Sequence, residues 1–91
     1  MLGAVLPFEL TPHAEAELHR RSIPRKLLEQ VLRNPEQVTA GYRGRRVYQS
    51  KLDLGSGKMF LLRVIVDERV RPPVVVTVYR TSKIAKYWRP T

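Results

Sequence analysis

Cysteine is absent from this chain, and histidine occurs only at His13 and His19. Disulfides, a thiolate nucleophile and a Cys/His cluster for structural zinc are therefore excluded, and such a composition suits the reducing cytosol. Long apolar runs are missing too. The opening segment MLGAVLPFEL lacks a basic start and is interrupted by Pro7 and Glu9, so it reads as neither a signal peptide nor a membrane span. The expectation is a cytoplasmic protein with no membrane partner. Length is the remaining shortage: 91 residues make a single domain, 1–91, with one two-layer core. No internal repeat, low-complexity tract or linker is present.

Acidic residues are few, 8 Asp and Glu against 17 Lys and Arg, for a net charge of +9. The excess is confined to one part of the chain. Residues 1–36 carry five basic and five acidic side chains, whereas residues 37–91 carry twelve and three. Arginine outnumbers lysine twelve to five, and the planar guanidinium suits bidentate phosphate contacts, so the second part points to RNA or another nucleic acid. The arginine-rich surface of a thermally stable protein would have the same composition, and an acidic protein would use the same patch.

What the chain does contain is organised around residues 74–81. Val74, Val75, Val76, Thr77, Val78, Tyr79 and Thr81 are β-branched or aromatic, and Pro72 and Pro73 precede them where no ladder hydrogen bond is needed, so a central strand is expected. Strict alternation puts Val74, Val76, Val78 and Arg80 on one face and Val75, Thr77, Tyr79 and Thr81 on the other. The second set is either a working hydroxyl face or simply good strand formers meeting solvent. Ser82 then offers an N-cap for a helix over residues 83–89, ended by Pro90.

Upstream, residues 4–10 read as an edge strand, since Pro7 cannot donate to a ladder. Thr11 and Pro12 are a helix start, cap and first position, for a helix reaching about residue 21. Ala14 and Leu18 form its apolar face, with His13, Glu17 and Arg20 as a neighbouring stripe. A second helix over residues 23–33, capped by Ser22, carries Ile23, Leu27, Leu28, Val31 and Leu32 on one face and stops at Asn34-Pro35. Strands follow at residues 37–42 and 46–54, separated by an Arg43-Gly44-Arg45 turn, and a hairpin at Gly55-Ser56-Gly57 leads into a strand over residues 59–67. There Phe60, Leu62, Val64 and Val66 alternate with Leu61, Arg63, Ile65 and Asp67, leaving Arg63 as a charge among apolar neighbours. The fold class is α+β, in the order β-α-α-β-β-β(-β)-α, with an antiparallel sheet, helices packed on one face and the other face open for a ligand.

Two resemblances attach to these residues. His13-Ala14, Arg20-Arg21, Ile23, Val31-Leu32, Pro35, Thr77-Val78-Tyr79, Ser82-Lys83 and Tyr87-Trp88 together resemble a family of small, mostly uncharacterised bacterial domains, a domain-of-unknown-function family of the 4258 type. More distantly, the run Phe8-Glu9-Leu10-Thr11-Pro12-His13-Ala14 and the order of elements are similar to RelE/ParE toxins and related small ribonucleases. The RelE-like likeness implies a concave basic sheet face that holds RNA and cleaves it without metal or cofactor, leaving a 2′,3′-cyclic phosphate. It also implies a cognate antitoxin whose acidic segment covers the site.

Metal-free cleavage needs a base for the 2′-OH, cations for the charge on the phosphorane-like transition state, and an acid for the departing oxygen. Arg63 fits the cation role by its mid-strand position. The resemblance adds Arg80 and Tyr87, with Tyr79 beside them; Arg80 shares parity with the core valines, so a twist or bulge is needed to bring it to the site. His13 is the alternative acid/base, oriented by Glu17 and Arg20, unless those two are only an intrahelical pair. Phosphate contacts are assigned to Arg20, Arg43, Arg45, Arg46, Lys51, Thr81, Lys83 and Lys86, with Tyr87 and Trp88 available for base stacking or for packing. A non-catalytic RNA or acidic-protein binding module on the same face, and a homodimer through an edge strand, are the other readings.

Overall fold

The computed structural model describes residues 7–53 and 55–90. Five strands and three helices follow one another as β1 (Glu9–Leu10), α1 (Pro12–Arg20), α2 (Arg25–Arg33), β2 (Gln37–Ala40), β3 (Arg46–Asp53), β4 (Met59–Asp67), β5 (Val74–Thr81) and α3 (Ile84–Tyr87). They build the α+β fold expected, with one difference in the sheet. Its order is β1-β5-β4-β3-β2, and β1 runs parallel to β5 while every other pair is antiparallel. The sheet is therefore mixed. A two-residue edge strand joined to its partner only through the rest of the chain is under no hairpin constraint, so nothing local dictates its direction. The earlier part of the strand expected at residues 4–10, and Leu54 at the end of the strand expected at 46–54, lie outside the described residues.

Thr11 caps α1 as its position predicts, accepting from the Ala14 amide at 3.0 Å. The same hydroxyl donates to the Val76 carbonyl at 2.9 Å, so one side chain closes the helix and pins it to β5. Thr11→Ala is expected to cost about 1–2 kcal/mol in urea unfolding, at the upper end for a lost cap because both bonds go together. The α2 helix begins at Arg25, later than expected, with Pro24 at the cap position and no capping side chain. Ser22 is in the left-handed region at φ 52, and the Ile23 amide bonds back to the Leu18 carbonyl at 2.9 Å. That residue terminates α1 rather than starting α2.

Both long helices cover one face of the sheet. Ala14, Leu18, Ile23, Leu28, Val31 and Leu32 pack against Leu62, Val64, Val66, Val75 and Val78; burying each of the valine, leucine and isoleucine side chains stabilises the fold by roughly 1.5–3 kcal/mol. Val75 and Val78 share this core although strict alternation separates them. The β4–β5 register shifts between Ile65 and Val66: Ile65 lies opposite Thr77 and Val66 opposite Val75, which leaves Val76 as a bulged residue. Beyond the bulge, Thr77, Tyr79 and Thr81 turn to the opposite face with Leu61, Arg63 and Ile65, while Arg80 stays opposite Leu62 on the helix side.

The far face is only partly open. The α3 element is a single turn, Ile84–Tyr87, capped at Lys83 rather than Ser82. After it, Trp88 is extended and the chain crosses toward β2, where the Gln37 amide accepts from the Arg89 amide at 3.1 Å and donates to the Arg89 carbonyl at 2.6 Å. The helix expected over residues 83–89 stops short because Arg89 precedes Pro90 and spends its backbone groups on Gln37.

Candidate functional site

One cross-strand row runs over the helix-free face. Gln37 of β2, Gln49 of β3, Arg63 of β4 and Tyr79 of β5 stand directly opposite one another in register. Their side chains are hydrogen-bonded in sequence: Gln49 Nε2 donates to Gln37 Oε1 at 2.8 Å, Arg63 Nε to Gln49 Oε1 at 2.9 Å, and an Arg63 terminal nitrogen to the Tyr79 hydroxyl at 2.6 Å. Gln49 is fully buried and Arg63 half-buried. Because each amide or phenol holds the next group, the guanidinium has little freedom left.

Tyr87 completes the cluster from α3. Its ring centre lies 4.2 Å from the Arg63 guanidinium carbon, within the range of a cation–π contact, and meets Tyr79 edge to face with centroids 6.3 Å apart. The Tyr87 carbonyl accepts from Gln49 Nε2 at 3.3 Å, so the same glutamine holds the arginine and the terminal segment. Lys51 sets its ammonium 4.0 Å from the Trp88 ring centre. Between these groups lies a pocket of about 300 Å³ lined by Thr39, Ala40, Arg63, Lys86, Tyr87, Trp88, Arg89 and Pro90.

Electrostatically the pocket is one-sided. Arg20 and Arg21 pair with Glu17, Arg25 with Glu15 and Glu29, Arg46 with Glu68, and Arg69 with Asp67. Among the described residues Arg63, Lys86 and Arg89 have no carboxylate partner. A half-buried cation held only by neutral acceptors and an aromatic face has the chemistry to accept an anion, since its own charge is uncompensated where water is restricted. The two phenols beside it are differentiated. Burial pushes the Tyr79 hydroxyl above its ordinary range against the pull of Arg63, whereas the Lys86 ammonium holds Tyr87 below it, assisted by Tyr79. Pairs of titratable groups pushed apart by their surroundings are suited to opposite acid/base roles.

The predicted site residues are thus divided. Arg63, Tyr79 and Tyr87 come together, and Lys86 lines their pocket. Arg80 does not join them. It lies on the helix-bearing face with its guanidinium carbon 5.1 Å from the Phe60 ring centre, because the bulge that could have reoriented it occurs at Val76, before it, and leaves its parity with Val78 intact. His13 Nε2 lies 3.0 Å from the Thr77 hydroxyl; Thr77 precedes Tyr79 by one repeat on the same face, about 7 Å along the strand. Histidine therefore borders the cluster without entering it. Glu17 does not orient His13 but is buried and bonded to Arg20 and Arg21.

Those two arginines hold the Glu17 carboxyl below the usual glutamate range. A depressed folded-state value means this contribution to stability is complete above the ordinary glutamate pKa and is lost as pH falls through the folded value. Glu17→Gln is expected to flatten that acid limb of a stability-against-pH series, an effect read by thermal melts at stepped pH.

Of the remaining predicted contacts, Lys51 lies against Trp88, the Thr81 hydroxyl accepts from the Lys83 amide at 3.0 Å, and Arg43, Arg45 and Arg46 sit at the turn between β2 and β3. Gln37 and Gln49 were not singled out by sequence reasoning. The signal was available: a hairpin centred on Ser56 puts Gln49 seven residues before the centre and Arg63 seven after it, and a polar residue opposite a mid-strand arginine is a natural partner.

These features define a small α+β domain, helices on one face of a mixed sheet and a tyrosine-flanked arginine on the other. The chain belongs to the family described as Domain of unknown function (DUF4258), whose model matches residues 10–80. That span includes Gln37, Gln49, Arg63 and Tyr79 and stops before Tyr87. No curated protein and no solved structure matches the chain. Among the described residues no helix is long and apolar enough to cross a membrane.

Proposed function

We propose that this is a RelE-like RNA-binding domain that cleaves RNA without a metal ion, at the Arg63, Tyr79 and Tyr87 cluster. The observation that carries the reading is Arg63, fixed by Gln49 and Tyr79, stacked on Tyr87 and free of any carboxylate partner among the described residues. In this reading the guanidinium binds the scissile phosphate and stabilises the extra charge of the phosphorane-like transition state. Tyr87, the more acidic phenol, takes the proton of the 2′-OH in its ionised form; Tyr79 already accepts from Arg63, so its own proton is available for the departing 5′-oxygen. The products are a 2′,3′-cyclic phosphate and a 5′-hydroxyl. An antitoxin with an acidic segment would silence such a site by pairing with Arg63.

Two observations favour a second reading. The terminal segment held by Gln37 and Gln49 covers part of the face, and His13 stands off from Arg63, as suits a module that holds RNA or an acidic protein without cutting it. Incubating structured and single-stranded RNA with the protein in EDTA separates the two. Cyclic-phosphate ends that disappear in Arg63→Ala and persist in His13→Ala support cleavage at the arginine; intact RNA retarded on a gel supports the binding module. Absence of RNA binding at low salt would contradict both RNA readings.

A further inference from the structure

The turn between β2 and β3 is not part of the Arg63 cluster, yet it carries the most exposed large aromatic side chain among the described residues. Tyr42 is 77% exposed. It opens the short 3₁₀ turn Tyr42–Gly44; a lone exposed aromatic is common on protein surfaces, and this one is set apart by how the turn holds it and by the charges around it. The turn is not loose. The Gly41 amide bonds to the Arg45 carbonyl at 2.7 Å and the Arg45 amide to the Tyr42 carbonyl at 3.2 Å. A side chain at Gly41 would meet the Arg45 carbonyl oxygen at 3.0 Å, and Gly44, at φ +77, has the Arg69 guanidinium 3.2 Å from where its Cβ would stand. Arg69 is itself clamped by two hydrogen bonds to Asp67. Tyr42 is therefore presented on a buttressed loop.

Its surroundings state the chemistry of the partner. The Arg43 guanidinium carbon is 5.3 Å from the Tyr42 ring centre. Arg43, Arg45 and Arg71 have no carboxylate partner among the described residues; Arg71 reaches only the Glu68 carbonyl, and Arg45 Nε finds no acceptor at all. An apolar protein surface would leave these cations desolvated and unpaired, and a helical duplex would offer no exposed base to a protruding ring. A single strand supplies both a π-face and phosphates. The loop is also contiguous with the arginine site, since Thr39 and Ala40 line the Arg63 pocket and Tyr42 follows two residues later.

We propose that Tyr42 is a stacking platform for an unpaired base of single-stranded RNA, with Arg43 and Arg45 on the adjoining phosphates, so that the strand runs from the β2–β3 turn to Arg63. This rests on the RNA-binding reading above and names the form of RNA that the face takes. The side chain lies outside the core, so its replacement leaves the fold intact, which a circular dichroism melt checks.

The test is affinity for a fluorescent single-stranded oligoribonucleotide at several salt concentrations, with an abasic oligomer of equal charge alongside. Tyr42→Ala should weaken binding of the normal strand roughly tenfold with an unchanged salt slope, because stacking releases no counterions, and Tyr42→Trp should restore it. Arg43→Ala should instead flatten the slope by about one phosphate contact. Wild-type affinity in Tyr42→Ala, or an equal loss on the abasic strand, overturns the platform while leaving the Arg63 site standing. A wild-type protein that binds no single strand overturns both.

Discussion

Replacing Arg63 with alanine is expected to lower affinity for single-stranded RNA by roughly ten- to a hundredfold, the equivalent of the 1.5–3 kcal/mol carried by hydrogen bonds to a charged group. Cleavage, where it is measured, should fall below detection. The same variant should reduce the salt dependence of binding by about one counterion, since one phosphate contact is gone. Arg63→Lys should not recover the loss, because an ammonium on a flexible stem cannot hold Gln49 and Tyr79 while facing a phosphate. The substitution also strands the buried oxygen of Gln49, so stability should fall by about 1–3 kcal/mol. Fluorescence anisotropy across a salt series reads the first effects and urea unfolding the last. Unchanged affinity in a folded Arg63→Ala protein would remove the anion site from the account.

Gln49 is expected to give the largest loss of stability on the helix-free face. Its amide is fully buried and joins three partners: it accepts from Arg63 and donates to Gln37 and to the Tyr87 carbonyl. Leucine is close in volume, so Gln49→Leu tests the polar network rather than a cavity. Leaving the Arg63 Nε donor and the Tyr87 carbonyl without their partner, while Gln37 keeps its bond from the Arg89 amide, should cost roughly 2–6 kcal/mol, given about 1–3 kcal/mol for each group stranded away from water. Trp88 is the sole tryptophan and lies on the segment this network holds, so its emission should shift at lower urea in the variant, ahead of the circular dichroism transition. Gln49→Glu separates charge from packing. It places a carboxylate beside Arg63 and should lower RNA affinity about as far as Arg63→Ala does while the protein remains folded.

The elements that formed as read are those whose signals are local. The Thr11-Pro12 start of α1, the apolar stripe of α2, and the full spans of β4 and β5 follow from caps, periodicity and turn residues within a few positions of each other. Arg63 was legible for the same reason, as a charge in an otherwise apolar alternation. Its partners were not, because Gln49 and Gln37 acquire meaning only when strands are set in register.

Arg80, adjacent to Tyr79 in the chain, stands outside the cluster, opposite Leu62. Parity already put it with Val78, and the bulge at Val76 changed the facing of Val75 rather than that of Arg80. A bulge carries no sequence mark here, since any of three consecutive valines could be the extra residue. The terminal helix ends short of residue 89 because its end is set by Gln37, 52 residues away in the chain, and propensity within residues 83–89 contains no trace of that capture. Ser22 does not cap α2, because Pro24 moves the helix start beyond its reach.

The central claim is that the RNA phosphate meets the helix-free face at Arg63. Its most direct test is an NMR titration of the arginine Nε–H signals with a short single-stranded oligonucleotide blocked against cleavage by 2′-O-methylation. The account predicts that the Arg63 signal shifts and saturates while that of Arg80, on the opposite face of the same sheet, stays in place. A shift at Arg80 with Arg63 unmoved would contradict it.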